Sequence, residues 1–488
     1  MEITRTARIK TKYNDFSGGI QAYTSPLWLQ ANESPYCKNI DIHRPGEIRK
    51  AMGYEELGTS TGTTAPRGLF VFNVDEGDSV VYKLTNDALK KFTTGWTQVT
   101  GSIATGTHAL EAALMYINTG TGVGTGADTF SERMYFCLGL NDKVKYTTGV
   151  AIGEVADVYA KHMEVYRDRL YLGNVRVKNE TQPFRVMFSE INDDDFRSTD
   201  YFDSMNEPIS ALCEYAGNLM IFSENKLATW DEYSLKEVPG TFGTTSSYSV
   251  QKVQGRLIWY NRGGVFMYTG SELPTNIGKR VQPWLDAITN AREVTAGVDE
   301  EDRYNLYIGD VTVDDVTYED VVLRYNVALN QWDMLPDRPF KYWVKQRGGG
   351  VNIPYATDVD NDKVWKVNSS RALNGEVILS EWQSAKLDLA KPDSYKNFYK
   401  AWVTFKPQGV SEFFTLQYRL DGATGWNNIG NTTSNVSVSG SDDIEVKRLD
   451  FPPNVQGKMI QFKLSHSSSE NGFNLYDITV DGDELASR

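Results

Sequence analysis

The residues of this chain that have the right types for chemistry are poorly spaced for it. The four histidines, His43, His108, His162 and His466, lie far apart, and none forms an HExxH or other two-histidine metal pattern. No GxSxG elbow or Walker loop occurs. Gly120-Thr121-Gly122-Val123-Gly124 is glycine-rich, but neither a helix pattern nor a Lys-Ser/Thr pair follows it, so it does not read as a phosphate cradle. Asp358-Val359-Asp360-Asn361-Asp362 resembles the start of a calcium loop. Lys363 stands where that loop needs glycine and Ser369 where it needs glutamate, so a hairpin turn is expected. Asp193-Asp194-Asp195 reads as a turn or cap, and Asp299-Glu300-Glu301-Asp302 as a solvated blade edge. Glycoside hydrolysis needs two carboxylates a few ångströms apart, which linear sequence cannot place. Trp402 and Trp426 have the type of a sugar platform, but packing against the rest of the assembly is the favoured reading. The expectation is therefore no catalytic centre, no cofactor and no bound metal.

The elements that would carry these residues are strands. Arg169-Leu170-Tyr171-Leu172-Gly173, Asn218-Leu219-Met220-Ile221-Phe222, Arg256-Leu257-Ile258-Trp259-Tyr260 and Asn305-Leu306-Tyr307-Ile308-Gly309 are copies of one apolar, aromatic-rich pattern. Arg133–Cys137 and Ser79–Lys83 fit more loosely. In most copies a turn and a second strand follow, as in Ala88–Phe92, Lys143–Tyr146, Lys226–Trp230, Val265–Tyr268 and Val322–Tyr325. A seventh, weaker unit has Pro354–Thr357 and Val364–Val367. All-strand units recurring every 40–50 residues or so indicate a β-propeller, because one blade cannot cover its own two faces. The prediction is an all-β chain with a six- or seven-bladed β-propeller over 66–381, and Tyr171, Trp230, Tyr260, Tyr268, Tyr307 and Tyr325 mostly buried between blades.

The flanks differ. Residues 1–65 are turn-rich, with Ser25-Pro26 and Ser34-Pro35, and read as an N-terminal arm. Val281, Trp284, Leu285 and Ile288 have helical spacing, so an inserted packing helix is expected over 279–291. From 382 to 488 the texture becomes strict alternation, as at Phe414, Leu416, Tyr418 and Leu420, which predicts a C-terminal antiparallel β-sandwich.

The chain has 488 residues and a net charge of −14, which disfavours general phosphate binding. Cys37, Cys137 and Cys213 form no CxxC and sit far apart, which suggests reduced thiols and assembly in a cytoplasm. Met1–Arg5 opens no apolar leader, and no apolar run approaches the length of a membrane span.

The run Asp15-Phe16-Ser17-Gly18-Gly19-Ile20, followed by Ser25-Pro26, Glu33-Ser34-Pro35, Asn39-Ile40-Asp41 and Gly46-Glu47-Ile48-Arg49-Lys50…Gly53-Tyr54, resembles the opening of phage tail propeller proteins. Ala51 stands where that pattern has a further basic residue. The order of repeats, inserted helix and terminal sandwich is similar to that of the tail hub, or nozzle, proteins of short-tailed bacteriophages. The resemblance implies a virion structural protein, assembled in the host cytoplasm. Such a protein would form a ring, usually a hexamer, below the portal and adaptor, with tail fibre or needle proteins as further partners. Genomic DNA would pass through the lumen without sequence-specific binding, and the ring would help retain and release it. Within this reading Phe16, Gly18, Gly19 and Ile20 are the expected interface: the glycines free the backbone and the two apolar side chains anchor on a neighbour. The alternative is a host-surface glycan-binding or glycan-hydrolysing propeller.

Overall fold

A computed structural model of the protein describes residues 8–25, 27–73, 79–121, 128–155, 157–270, 273–348, 351–408, 413–429, 435–437 and 443–485. Residues 122–124 of the glycine-rich stretch, Gly349-Gly350, and much of the polar loop over 431–443 lie outside them.

The chain is all-β and its main body is a β-propeller. The repeated apolar run is the second strand of each blade: Ser79–Leu84, Asp128–Cys137, Arg169–Val177, Asn218–Ser223, Arg256–Asn261, Tyr304–Val313 and Val351–Thr357. Among the described residues, six four-stranded sheets, and four strands of a larger sheet, give seven blades. The innermost strands of blades 1 to 7 are Gly68–Asn73, Glu111–Thr121, Tyr159–Tyr166, Ile209–Tyr215, Gln251–Val253, Thr295–Val298 and Trp343–Gly348. The outermost strand of blade 7 is Tyr54–Glu56, brought from the N-terminal segment to pair antiparallel with Val364–Val367. This strand closes the ring.

Blade strands are apolar in continuous runs because both faces are covered by neighbouring blades. Leu170, Tyr171, Leu172 and Val175 are all buried, as are Leu219, Met220, Ile221 and Phe222. Separate apolar clusters fill the gaps between blades, such as Phe70, Tyr82 and Phe136 between blades 1 and 2, and Tyr171, Val186 and Leu219 between blades 3 and 4. Of the aromatics expected between blades, Tyr171, Tyr260, Tyr307 and Tyr325 are buried, and Trp230 and Tyr268 are half-buried.

The sandwich begins earlier than expected. The last blade strand in chain order ends at Val367, and Ile378–Gln383 already belongs to the sandwich. One layer carries Ile378–Gln383, Ile460–Ser468 and Phe413–Leu420, and the other carries Glu445–Asp450, Lys396–Gln408 and Gly472–Glu484. Alternate residues of Lys396–Gln408 point inward: Ala401, Val403 and Phe405 are buried.

Residues 1–65 are not a separate arm, which corrects the expected boundary. Arg8–Tyr13 pairs with Gly472–Glu484, and Ile48–Lys50 pairs with the same long strand. Tyr36–Lys38 lies between Gln331–Leu335 of blade 6 and Ile378–Gln383, so a ten-stranded sheet runs from blade 6 into the sandwich. One apolar core spans both, joining Tyr304 and Trp332 to Trp382 and Phe462.

The inserted helix is shorter than the spacing predicted. A 3₁₀ turn over Gly278–Val281 leads into Gln282–Asp286, and the helix stops there. The β-branched Ile288 and Thr289 follow, and Asn290 then accepts the Arg292 backbone N–H on its side chain, competing with helical bonding.

Candidate functional site in the propeller channel

All seven innermost strands, or the segments leading into them, face a central cavity of about 210 Å³. Glu164, which lines it, meets Glu214 and Lys252 of blades 4 and 5. Lys252 Nζ is 2.8 Å from Glu214 Oε2 and 3.9 Å from Glu164 Oε1. Burial, relieved by Lys252 and reinforced by Glu214 and Glu111, pushes the Glu164 carboxyl up to about 7. Glu111, from blade 2, faces His162 Nδ1 at 2.9 Å and accepts the Met163 backbone N–H at 3.2 Å. Tyr248 and Tyr342 meet edge to face at 5.0 Å, and burial raises the Tyr248 hydroxyl far above its usual value.

Two neighbouring carboxyls, one with a raised value, are what a glycosidase uses. Here one ammonium meets both, at 2.8 Å from Glu214 and 3.9 Å from Glu164, so the trio is an ion-paired cluster. At one end Ser247 and Tyr248 line both this channel and a larger cavity between blades 3, 4 and 5.

The expected interface residues lie elsewhere, and the structure corrects their expected role. Phe16 and Ile20 are buried in their own chain. Phe16 packs edge-on against Trp382 with centroids 5.2 Å apart, and against Tyr13 at 5.1 Å. Gly18 donates to the Asn32 carbonyl, and its own carbonyl accepts from Arg280. Gly19 takes φ +62°, and a Cβ there would sit 2.6 Å from the Trp332 carbonyl oxygen. Gly19 permits close packing on blade 6 and Gly18 on the neighbouring Asn32-Glu33 segment, and none of the four residues is free to reach a neighbour.

The acidic loop of blade 6 is also not a solvated edge. Asp299 is fully buried and accepts from Arg303 Nε at 2.8 Å. Arg303 reaches Asp41 at 2.6 Å, and Arg324 bridges Asp41 at 2.9 Å and Asp333 at 2.8 Å. Arg49 adds contacts to Asp41 at 2.6 Å and Glu301 at 3.0 Å, and His43 meets Glu301 at 3.0 Å. Burial works against ionisation of Asp41, but Arg303, Arg324 and Arg49 hold it far below the ordinary carboxylate range. This network pins the N-terminal segment to the propeller. Local sequence shows four acids followed by Arg303, and the other cations that meet them, Arg49, His43 and Lys345, come from distant parts of the chain.

The remaining chemical residues pack within the chain. Asp358 caps its own turn, accepting from the Asp360 and Asn361 backbone and from Trp365 Nε1. Asp194 accepts from Arg133 and Tyr135. Trp402 lies under Lys10, and Trp426 stacks with Arg419 and Lys463. Among the described residues, no three His, Cys, Asp or Glu side chains converge as metal ligands. The three cysteines are free and buried. No helix among the described residues is long and apolar enough to cross a membrane.

By these sheets and this channel the chain belongs to the class of β-propeller proteins, here extended by a β-sandwich. No protein-family model matches the sequence, and no curated protein matches it. Among solved structures, the chain is similar to the extracellular domain described as that of a hybrid two component system, BT3049, from B. thetaiotaomicron. That match has 8% identity, a TM-score of 0.45, and covers 83% of this chain and 60% of that one. A second, the extracellular domain of the one component system BT4673 from the same organism, has 8% identity, a TM-score of 0.41, and covers 90% and 62%. The chain thus spans about three fifths of the length of the structures it matches. The fold assignment rests on the strand pairing described above.

Proposed function

We propose that this chain is a structural subunit of a short-tailed phage tail, forming a ring that extends the DNA channel below the portal and adaptor. One observation carries the reading. The residues in which the sequence resembles tail nozzle proteins are those that clamp propeller to sandwich. Phe16 packs on Trp382, Ser34 Oγ donates to the Gln383 carbonyl, and Asn39 Nδ2 donates to the Leu379 carbonyl. Lys50 Nζ donates to the Ser468 and Asn471 carbonyls, and the strand beginning at Tyr54 closes blade 7. The opening motif therefore makes two domains into one stiff piece, which suits the wall of a conduit under internal pressure. The propeller's own cavity, ringed by Tyr248, Tyr342 and Trp343, is far too narrow for a duplex whose major groove alone is about 12 Å wide. DNA would run between copies, along acidic walls that repel it.

With Phe16–Ile20 buried, contact with a neighbouring copy falls to exposed apolar side chains. Trp28, 81% exposed beside the exposed Tyr23 and Leu27, is the leading residue. Electron microscopy of tails carrying a tag on this chain should show a cyclic ring, and Trp28→Glu should weaken the ring without lowering the melting temperature. A strictly monomeric chain in the virion ends this reading. The reading assigns no catalytic centre. Turnover of a polysaccharide, peptidoglycan or nucleotide that disappears in Glu164→Gln would reverse that assignment.

A further inference from the structure

Two apolar surfaces of this chain stay uncovered, far apart on the molecule. The first is on blade 2, whose hairpin strands Glu111–Thr121 and Asp128–Cys137 run eleven and ten residues. The blade 1 strands Gly68–Asn73 and Ser79–Leu84 run six each. The register sets Leu114 opposite Met134, Tyr116 opposite Glu132 and Asn118 opposite Phe130, so these six side chains share one face. At the base of that face Met134 packs with Phe70 of blade 1. Beyond it Tyr116 and Phe130 are 51% and 52% exposed. The other face of the hairpin is closed, with Met115 and Ile117 buried in one cluster with Leu172 and Val175 of blade 3.

The second surface is on the sandwich. Tyr13, Leu27, Leu29, Leu387, Leu389 and Met459 wall a groove of about 400 Å³, and Trp28, between two of them in the chain, is almost fully exposed. The backbone is strained to complete this wall. Leu389 and Ala390 take φ +53° and +62° in a turn closed by the Lys391 N–H on the Asp388 carbonyl, where Asn and Gly are the usual residues. A leucine there adds apolar surface at a conformational cost. The sandwich is joined to blade 6 through Tyr36–Lys38, and blade 6 stands three blades from blade 2 one way round the ring and four the other.

Exposed aromatics grouped in this way mark protein interfaces, and charge selects the partner. Residues 54–367, the propeller, hold 30 Lys and Arg against 44 Asp and Glu, whereas the rest of the chain holds 20 of each. The net charge of −14 therefore sits wholly on the propeller. A second copy docked propeller to propeller would meet like charge, but docked sandwich to propeller it brings a neutral body to an acidic one. The local charges agree. Lys386 lines the groove with no ion-pair partner among the described residues, while Lys12 pairs with Asp477 and Asp388 accepts from its own turn. Beside the hairpin, where the Asn118 N–H donates to the Asn192 carbonyl, Asp193 and Asp195 are exposed.

We propose that copies of this chain join head to tail, with Tyr116 and Phe130 of one copy seated in the groove beside Trp28 of the next. This rests on the ring reading above and supplies both faces of its contact. Two unlike faces make a heterologous contact, which propagates from copy to copy until the ring closes.

Sedimentation velocity on the full chain, from roughly 1 to 500 μM, tests the contact. Wild type should form species larger than a dimer as concentration rises. Phe130→Glu and Trp28→Glu should each weaken self-association by about tenfold or more with an unchanged melting temperature. Mixed one to one, the two variants should form a dimer and nothing larger, because one intact hairpin then meets one intact groove. A mixture no better associated than either variant alone overturns the proposal, since the contact would then pair like with like. Phe130→Glu assembling as wild type does, or wild type remaining monomeric at the highest concentration, also overturns it. The ring itself is judged separately by the tagged tails, and a ring seen there beside an inert hairpin moves the neighbour contact to other faces.

Discussion

Two polar regions of this molecule make opposite use of burial. At the joint between N-terminal segment and blade 6, Asp41, Arg303, Arg324, Asp299 and Asp333 are buried charges whose polar atoms meet one another. Around the cavity between blades 3, 4 and 5, Asn174, Ser210 and Ser246 each keep one buried side-chain atom without a hydrogen-bond partner among the described residues. A network closed on itself holds structure together. Buried polar atoms left without partners cost stability.

Four perturbations test this contrast, from the largest expected effect to the smallest. Deleting residues 1–24 removes the strand on Gly472–Glu484 together with Phe16 and Ile20. The truncated chain should lose cooperative unfolding, read by urea titration with tryptophan fluorescence, rather than merely lose a docking arm. A soluble, cooperatively folded truncation would break the account of the joint.

Asp41→Asn leaves Arg303 and Arg324 facing each other without their shared carboxylate, and should cost about 3–5 kcal/mol in denaturant unfolding. The pH dependence has a definite sign. The folded-state value of Asp41 is depressed, so its contribution is fully present above an unfolded value of about 3.9 and is lost as pH falls below that. Wild-type stability should drop steeply below about pH 4, and the variant should be flatter there.

Glu164→Gln should act in the other direction. A carboxyl raised to about 7 in the fold makes ionisation unfavourable, so wild-type stability declines as pH rises from its unfolded value near 4.3 toward 7. The amide variant should gain about 1–2 kcal/mol at pH 8, a figure reduced for the quarter exposure of the side chain, and nothing near pH 4. Equal stability at pH 8 would mean Lys252 compensates the charge fully.

Ser246→Ala should fall within about 0.5 kcal/mol of wild type, since the hydroxyl it deletes has no partner to strand. A loss above about 1 kcal/mol would show that the hydroxyl is structurally engaged, and would erase the contrast with the joint.

The parts of the fold legible in sequence were those whose cause is local. The second strand of every blade is a continuous apolar run because blades cover both its faces, and Leu170–Leu172 or Leu257–Tyr260 carry that mark unaided. The alternation at Phe414–Leu420 records one wet face in the same way. What escaped depends on distant partners. Tyr36–Lys38 and Tyr54–Glu56 are three-residue strands whose pairing is decided by Met334 and Trp365, far along the chain. The Phe16–Ile20 run has the composition of a mobile arm, but Trp382 and Trp332 hold it. Helical spacing at Val281–Ile288 overran because the β-branched Ile288-Thr289 and Asn290, whose side chain bonds the Arg292 backbone, do not continue the helix beyond Asp286. For the cavity there was one faint local sign, the Gly173-Asn174 pair interrupting an apolar strand, and nothing in linear sequence connects it to Ser210 or Ser246.

The ring of blades is latched by Tyr54–Glu56. Their partner Val364–Val367 is made about 300 residues later. At synthesis rates of about 5–20 residues per second, this strand waits on the order of tens of seconds with its backbone groups unpaired. Gly472–Glu484, which receives Arg8–Tyr13, arrives later still. Blades 1 to 6 can form as they are translated, but the circle cannot shut until Val364–Val367 has been made. Tyr54–Glu56 is thus made long before it can pair, and chains halted before residue 364 should be open, sticky arcs that depend on chaperones.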